Sequence, residues 1–468
     1  MKMRNVMKSN SSLLLWLMLV LIAICFGSCK DKDDGDSTAS GSFDPAKPVV
    51  ISHFLPKTGG LGSRLILYGD NFGTDISKIK VTIGGKDARV IGSNGSSIYC
   101  IVPNQAYEGT IEVAIVNDSG EKLVDTVASE KFTYEKKMLV TTFLGTMTET
   151  GGYIVKDGPF DDCGGLGGTV WLTFDPKNNE HMYLVGEQHP FRLVDFGKQW
   201  LSTVFNSSYS GMSKMRTIAW TKDGDHMLIS NDQTSETGIS VVMLSREGNF
   251  KDVNVLVRSR NCNGIAVHPI NGELYYNSYD AGQVLRYDFE TGQKETLFPI
   301  NDRNYEFFIQ IHPSGNYAYI VVENQHYIVR SNYDWDSKTF MPPFIVCGQR
   351  GSAGWNDAVG QKAKLNKPMQ GTFVKNPAYA GKEDEYDFYF SDRENHCIRI
   401  LTPDGKVSTF AGRGSPSVNN KVEGYIDGDL RKEARFNHPE GLIYDEENKC
   451  FYVGDRENRR IRKIAYEE

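Results

Sequence analysis

The chain is poor in the residues and motifs that most reaction centres and nucleic-acid surfaces require. It has eight cysteines in 468 residues, and no two of them stand as C-x-x-C. That speaks against a zinc site, where closely spaced thiolates grip the ion. There is no H-E-x-x-H and no G-x-S-x-G, so two common hydrolase arrangements are missing. Blocks of Lys and Arg are also missing and the formal charge is −7. A nucleic-acid partner is excluded on that ground, because phosphate binding needs clustered positive charge. The apolar run Leu13–Phe26 falls short of the ~20 residues a membrane-spanning helix needs. What the chain does have is 46 Gly, 23 Tyr and 24 Phe, a composition suited to strands and tight turns.

Residues 1–28 read as a secretory signal: Lys2, Arg4 and Lys8 precede the apolar run, and small residues follow it. An uncleaved anchor is the alternative, and the shortness of the run opposes it. The "FGSC" ending at Cys29 resembles a bacterial lipobox. The resemblance implies that Cys29 is diacylated, becomes the mature N-terminus and ties the protein to a membrane. Residues 29–47, "CKDKDDGDSTASGSFDPAK", lack an apolar pattern and read as a flexible tether. Its acidic start is similar to the export tag of Bacteroidetes surface lipoproteins, which implies a lipid-anchored, cell-surface place at the outer membrane. An ordinary solvated linker is the other reading. The six remaining cysteines, Cys100, Cys163, Cys262, Cys347, Cys397 and Cys450, are even in number but far apart. Disulfides and isolated buried thiols both fit.

Residues 48–135 alternate short strand-like runs with Gly, Asn and Asp turns, the pattern of an antiparallel Ig-like sandwich. "GDNFG" (69–73), "VPN" (102–104) and "FTY" (132–134) resemble the IPT/TIG family. That likeness implies a fold and a spacer or contact module, not a chemistry.

Residues 136–468 repeat a four-strand unit six times, at roughly 50 residues per unit, the mark of a β-propeller. The sixth unit ends at "IRKIAYEE" with three strands. The missing fourth is expected from Val140–Leu144, which would zip the two ends of the ring together and cover an open edge. The fold class is therefore all-β: a sandwich followed by a six-bladed propeller closed by an N-terminal strand. "SDRENHCIRI" (391–400) and "GDRENRRIRK" (454–463), with the inserts "GWNDAVGQKAKLNKP" (354–368) and "GYIDGDLRKEARFNHPEGL" (424–442), resemble NHL repeats. The first four units match that pattern more loosely.

His268-Pro269 and His312-Pro313 occupy turns where the first unit has Asp175-Pro176, so they read as turn formers. Asp392 with Asn395, and Asp455 with Asn458, suit side-chain-stabilised turns. "CGGLGGTV" (163–170) lacks the Gly-Lys-Ser/Thr of a phosphate loop and reads as a turn into the first blade. No catalytic residue, metal ligand or cofactor is assigned. Second-to-third-strand loops and blade-to-blade loops emerge on one propeller face, and that face is the expected ligand surface. Its candidate residues are Tyr279, His189, His326, Arg393, His396 and Arg456, together with Trp355 and Tyr425 at matching places in the two inserts. Aromatic rings stack on sugars while charged groups bond hydroxyls; alternatively Trp355 and Tyr425 pin their inserts to the ring. Similarity to the architectures of Bacteroidetes surface lipoproteins implies non-catalytic capture of a nutrient, a glycan, beside a SusC/SusD-like importer. A propeller lyase or lactonase with a divalent metal, and a scaffold for a transporter complex, are the other expectations.

Overall fold

The computed structural model describes residues 41–300, 303, 305–414 and 420–468. The signal, most of the tether and the expected lipid anchor Cys29 lie outside the described residues. The chain divides between Glu135 and Lys136 into two compact units.

In the first unit, seven strands run in the order Val50–Leu55, Arg64–Asp70, Ser97–Ile101, Lys86–Ser93, Ile79–Ile83, Ile111–Val116, Lys122–Val127. Lys86–Ala88 pair with Ile79–Ile83 while Arg89–Ser93 pair with Ser97–Ile101. That one strand therefore passes from one layer to the other and makes the sandwich. Alternation puts Ile79, Val81 and Ile83 inside and Lys80 outside, as the two-residue period requires. Phe54, Leu67, Phe72, Ile98, Val113 and Phe132 fill the space between the layers. The "GDNFG" segment has a structural task. Asn71 sits at φ 63°, and its amide donates to the carbonyls of Asp44 and Lys47 and accepts from the Asp44 N–H, each at 2.8 Å.

The second unit is a ring of six antiparallel sheets. Blade 1 holds Trp171–Asp175, Asn178–Val185, Phe191–Asp195 and Trp200–Phe205, running outward from the axis. Blade 2 runs from Met215 to Arg258, blade 3 from Ile265 to Pro299, blade 4 from Phe307 to Gly348 and blade 5 from Pro368 to Gly412. Blade 6 joins Pro439–Asp445, Cys450–Asp455 and Arg460–Tyr466 to Met138–Leu144, which pairs antiparallel with Arg460–Tyr466. The expected closure strand is present, two residues longer at its start. Trp171 of blade 1 reaches Phe308 of blade 4, ring centres 5.8 Å apart, and both pack with Met369 of blade 5. Gln370 crosses the same region: its carboxamide oxygen accepts from the N–H groups of Leu172 (2.8 Å) and Leu442 (3.1 Å). These contacts join blades 1, 4, 5 and 6 across the ring.

The repeated decapeptide is a buried clamp. Asp392 accepts from Asn366 N–H (2.7 Å), Asn395 (2.8 Å) and Arg399 (2.7 Å). Asp455 accepts from Asn437 N–H (2.7 Å), Asn458 (2.7 Å) and Arg462 (2.8 Å). Each arginine then reaches an insert carboxylate, Asp357 or Asp427, which also accepts from the outer-strand residue Thr409 or Thr142. One polar chain thus ties the second, third and fourth strands of a blade to its insert. Blade 1 carries a shorter version: Arg192 donates to Asp157 at 2.9 Å, and Thr203 donates to the same carboxylate. The NHL-like device is therefore used in three consecutive blades around the closure. The six cysteines are unpaired and buried. Burial pushes the Cys100 and Cys347 thiols up to about 12, which makes them poor nucleophiles.

Candidate functional site

The residue directly after the second strand of blades 2 to 6, and the second residue after it in blade 1, occupies one recurring place at the mouth of the channel. Around the ring it is Glu187, Asp232, Tyr279, Glu323, Arg393 and Arg456. In blades 2 to 6 its backbone N–H donates to the carbonyl of a residue one to four places ahead of the first strand of the same blade: Lys214, Asn261, Glu306, Lys367 and His438. That bond turns the loop inward and fixes where the side chain starts. The site is therefore assembled from one backbone position repeated six times, carrying three carboxylates, one phenol and two guanidinium groups.

The side chains join into a continuous ion-pair network. Arg216, from the first strand of blade 2, lies 3.1 Å from Glu187, 3.2 Å from Glu306, 3.9 Å from Asp232 and 4.0 Å from Glu323. Glu323 turns its other oxygen to Arg393 at 3.1 Å. Arg393 meets Glu440 at 3.1 Å, and Glu440 meets Arg456 at 2.7 Å. Tyr279 joins the network by donating to Asp232 at 2.9 Å. Glu323 and Glu440 are 4% and 1% exposed, while Glu187, Glu306 and Arg456 open to solvent.

Crowded carboxylates in a half-dry site hold protons more tightly. Burial, with Glu323 alongside, raises Glu306 to about 7 against the pull of Arg216. Burial likewise raises Asp232, opposed by Arg216 and the Tyr279 hydroxyl. Burial works against the charge on Arg216, but Glu323, Asp232, Glu306 and Glu187 together keep it firmly protonated.

The expected site residues fall into three groups. Arg393, Arg456 and Tyr279 belong to the network. His326, His396 and His189 are fixed within the scaffold. His326 and His396 end their loops at φ 65° and 55°, where each imidazole accepts a backbone N–H, from Lys367 (3.1 Å) and His438 (3.2 Å). His189 shares a 2.6 Å hydrogen bond with Tyr153 and lies against the glycine loop. A methyl group on Gly167 would stand 2.1 Å from the His189 ring, which is why that loop is glycine. Burial lowers His189 and His396 to about 4. Trp355 and Tyr425 stand at the outer strands. The Trp355 indole donates to Thr409 at 3.0 Å and Tyr425 shares a 2.6 Å bond with Thr142. Arg413 and Arg460 cover a face of each ring at 4.2 and 4.1 Å. Both therefore pin their inserts, and both remain 43% exposed.

A pH profile of stability follows from these groups. Glu306 binds its proton more tightly folded than unfolded, so its contribution is complete below pH 4.5 and is lost as pH rises through about 7. Screening at a one-third-exposed group leaves roughly 1–2 kcal/mol of this effect. His189 and His396 have the opposite sign, with stability lost as pH falls from 6.5 through about 4. Urea denaturation of the wild type and Glu306→Gln between pH 5 and 8 measures the first effect. The wild type is expected to lose stability on the alkaline side and the variant to stay flatter.

The model of the IPT/TIG domain family matches residues 48–134. A solved structure of an auxiliary nutrient binding protein from Bacteroides thetaiotaomicron VPI-5482 is 64% identical, with a TM-score of 0.88, and the match covers 92% of this chain and 100% of that one. A second solved structure from the same organism, whose name suggests a phosphatase, is 41% identical with a TM-score of 0.83, again covering 92% and 100%. Among curated proteins, human NHL repeat-containing protein 2 is 31% identical over 112 residues, 24% of this chain, and the match spans 13% of that protein's length. With one relative matched over its whole length at 64% identity, the chain belongs to the same family as the Bacteroides thetaiotaomicron auxiliary nutrient binding protein.

Proposed function

We propose that this protein is a lipid-anchored, surface-facing outer-membrane protein that captures a nutrient, a glycan, without turning it over and passes it to a SusC/SusD-like importer. The observation that carries the reading is the 64% identical relative, matched end to end, which is named an auxiliary nutrient binding protein. The channel mouth supports it chemically. Guanidinium and carboxylate groups held by ion pairs, beside Tyr279, suit hydroxyl-rich ligands that need fixed donors and acceptors. The relative named for a phosphatase favours an enzyme. Against that, Arg216, Arg393 and Arg456 are already paired with carboxylates, an arrangement that disfavours a phosphate dianion.

Affinity electrophoresis against a panel of soluble polysaccharides, with and without EDTA, tests this reading. Retention is expected on at least one glycan, unchanged by EDTA and weakened about tenfold in Arg393→Ala, the loss of one charged hydrogen bond. Release of cleaved product, or turnover of a phosphate ester, would establish the enzyme instead. Failure to bind any glycan, together with co-purification of a membrane transporter, would establish the scaffold.

A further inference from the structure

We propose that the blade 1–4 side of the channel mouth is a subsite for a primary ammonium group, so that the captured glycan carries unacetylated amino sugar. The inference rests on the capture reading and adds the chemical class of the ligand.

Four carboxylates, Glu187, Asp232, Glu306 and Glu323, surround the single guanidinium of Arg216 at 3.1 to 4.0 Å. Lys214 pairs with Glu187 at 3.4 Å and also acts on Asp232, and Arg393 takes one oxygen of Glu323. The other oxygen, Glu323 Oε2, is buried without a hydrogen-bond partner, on a residue 4% exposed. The Arg216 guanidinium stands 4.0 Å from it. A buried acceptor left unpaired is costly, and a second cationic donor would satisfy it. The rim is open at Glu187 and Glu306, and the Tyr279 ring beside Asp232 adds an aromatic wall suited to a cation.

Glu306 and Glu323 crowd each other, which together with burial raises Glu306. An ammonium group brings three N–H donors and would relieve that repulsion. The groups that set this balance are Arg216, Asp232 and Lys214 from blade 2, Glu187 from blade 1, Tyr279 from blade 3 and Arg393 from blade 5. On the blade 5 and 6 side, Arg393 and Arg456 share Glu440, and Glu394 and Glu457 pair with the same two arginines. The carboxylates there are matched by cations, which leaves the ammonium one sector of the mouth.

Calorimetric titration of the full chain with short glucosamine oligosaccharides and with their N-acetylated counterparts tests the proposal, because the two probes share a backbone and differ in charge. The glucosamine series is expected to bind at least about tenfold more tightly, one charged hydrogen bond's worth. Glu306→Gln and Asp232→Asn should each shrink that preference. Glu187→Gln, at a solvent-open position, provides a third variant if Asp232→Asn does not fold. Equal binding of the two series would overturn the ammonium subsite while leaving glycan capture standing. Binding of neither series would overturn the amino-sugar assignment. Preference for trilysine over both would show a cation site serving peptides and would overturn the glycan reading as well.

Discussion

Asp455→Ala will lower the unfolding free energy of the propeller by about 3–5 kcal/mol, the cost of leaving one partner of a buried ion pair alone. Asp455 and the Arg462 side chain are fully buried. The carboxylate accepts three hydrogen bonds, from Asn437 N–H, Asn458 and Arg462. Alanine abolishes all three and leaves the Arg462 charge away from water with Asp427 as its remaining carboxylate. The damage should spread, because Arg462 also donates to the carbonyls of Arg435 and Ile426 and so holds the blade 6 insert. Chemical denaturation followed by tryptophan fluorescence measures the loss. A double-mutant cycle with Arg462→Met isolates the pair, and the double variant should lose less than the sum of the two single changes. A loss under about 1 kcal/mol in Asp455→Ala, typical of exposed pairs, would show that the clamp does not hold the blade.

The same clamp shows what the sequence made legible. The decapeptide recurs because five of its positions have fixed tasks: an Asp to accept, an inward-facing residue, an Asn to cap the loop, a left-handed residue and a buried Arg. Repetition exposed the strands of blades 5 and 6, and counting them exposed the open place that Met138–Leu144 fills. The blade 1 clamp stayed hidden. Its loop is one residue shorter and Gly186 stands where Asp392 and Asp455 stand, so only Asp157, Arg192 and Thr203 survive.

The channel mouth was half legible for a related reason. Its recurring position carries Glu, Asp, Tyr, Glu, Arg and Arg, and no motif search can see a place defined by backbone register alone. In blades 1 and 4 the inward residues are Glu187 and Glu323, two and three places before the conspicuous histidines His189 and His326. Arg216 and Glu440 were missed because they lie within first strands, where a charged residue reads as solvent-facing; here the innermost strand faces the axis. Aligning the blades on the end of each second strand, before judging residue types, would have found the position. Trp355 and Tyr425 matched each other for a structural reason, since each bonds the outer-strand threonine of its own blade.

Val140→Asp is expected to open the ring. Val140 is fully buried, opposite Ile464, within a cluster that includes Phe436, Leu442, Phe451 and Val453. A carboxylate there has no partner and costs several kcal/mol, in addition to the lost apolar burial of about 1.5–3 kcal/mol. Thr141→Asp places the same charge on the same strand, one residue along and exposed, because successive side chains face opposite ways. It should change stability by no more than about 0.5 kcal/mol, as surface substitutions do. The contrast separates closure from a general effect of charge at the start of the propeller. If Met138–Leu144 is lost from blade 6, the backbone groups of Arg460–Tyr466 that it pairs with become an open edge, which favours pairing between molecules. Val140→Asp should therefore show both a large fall in thermal midpoint and concentration-dependent oligomers in size-exclusion chromatography with light scattering. A Val140→Asp protein as stable and monomeric as Thr141→Asp would mean that the propeller is held shut by the clamps alone.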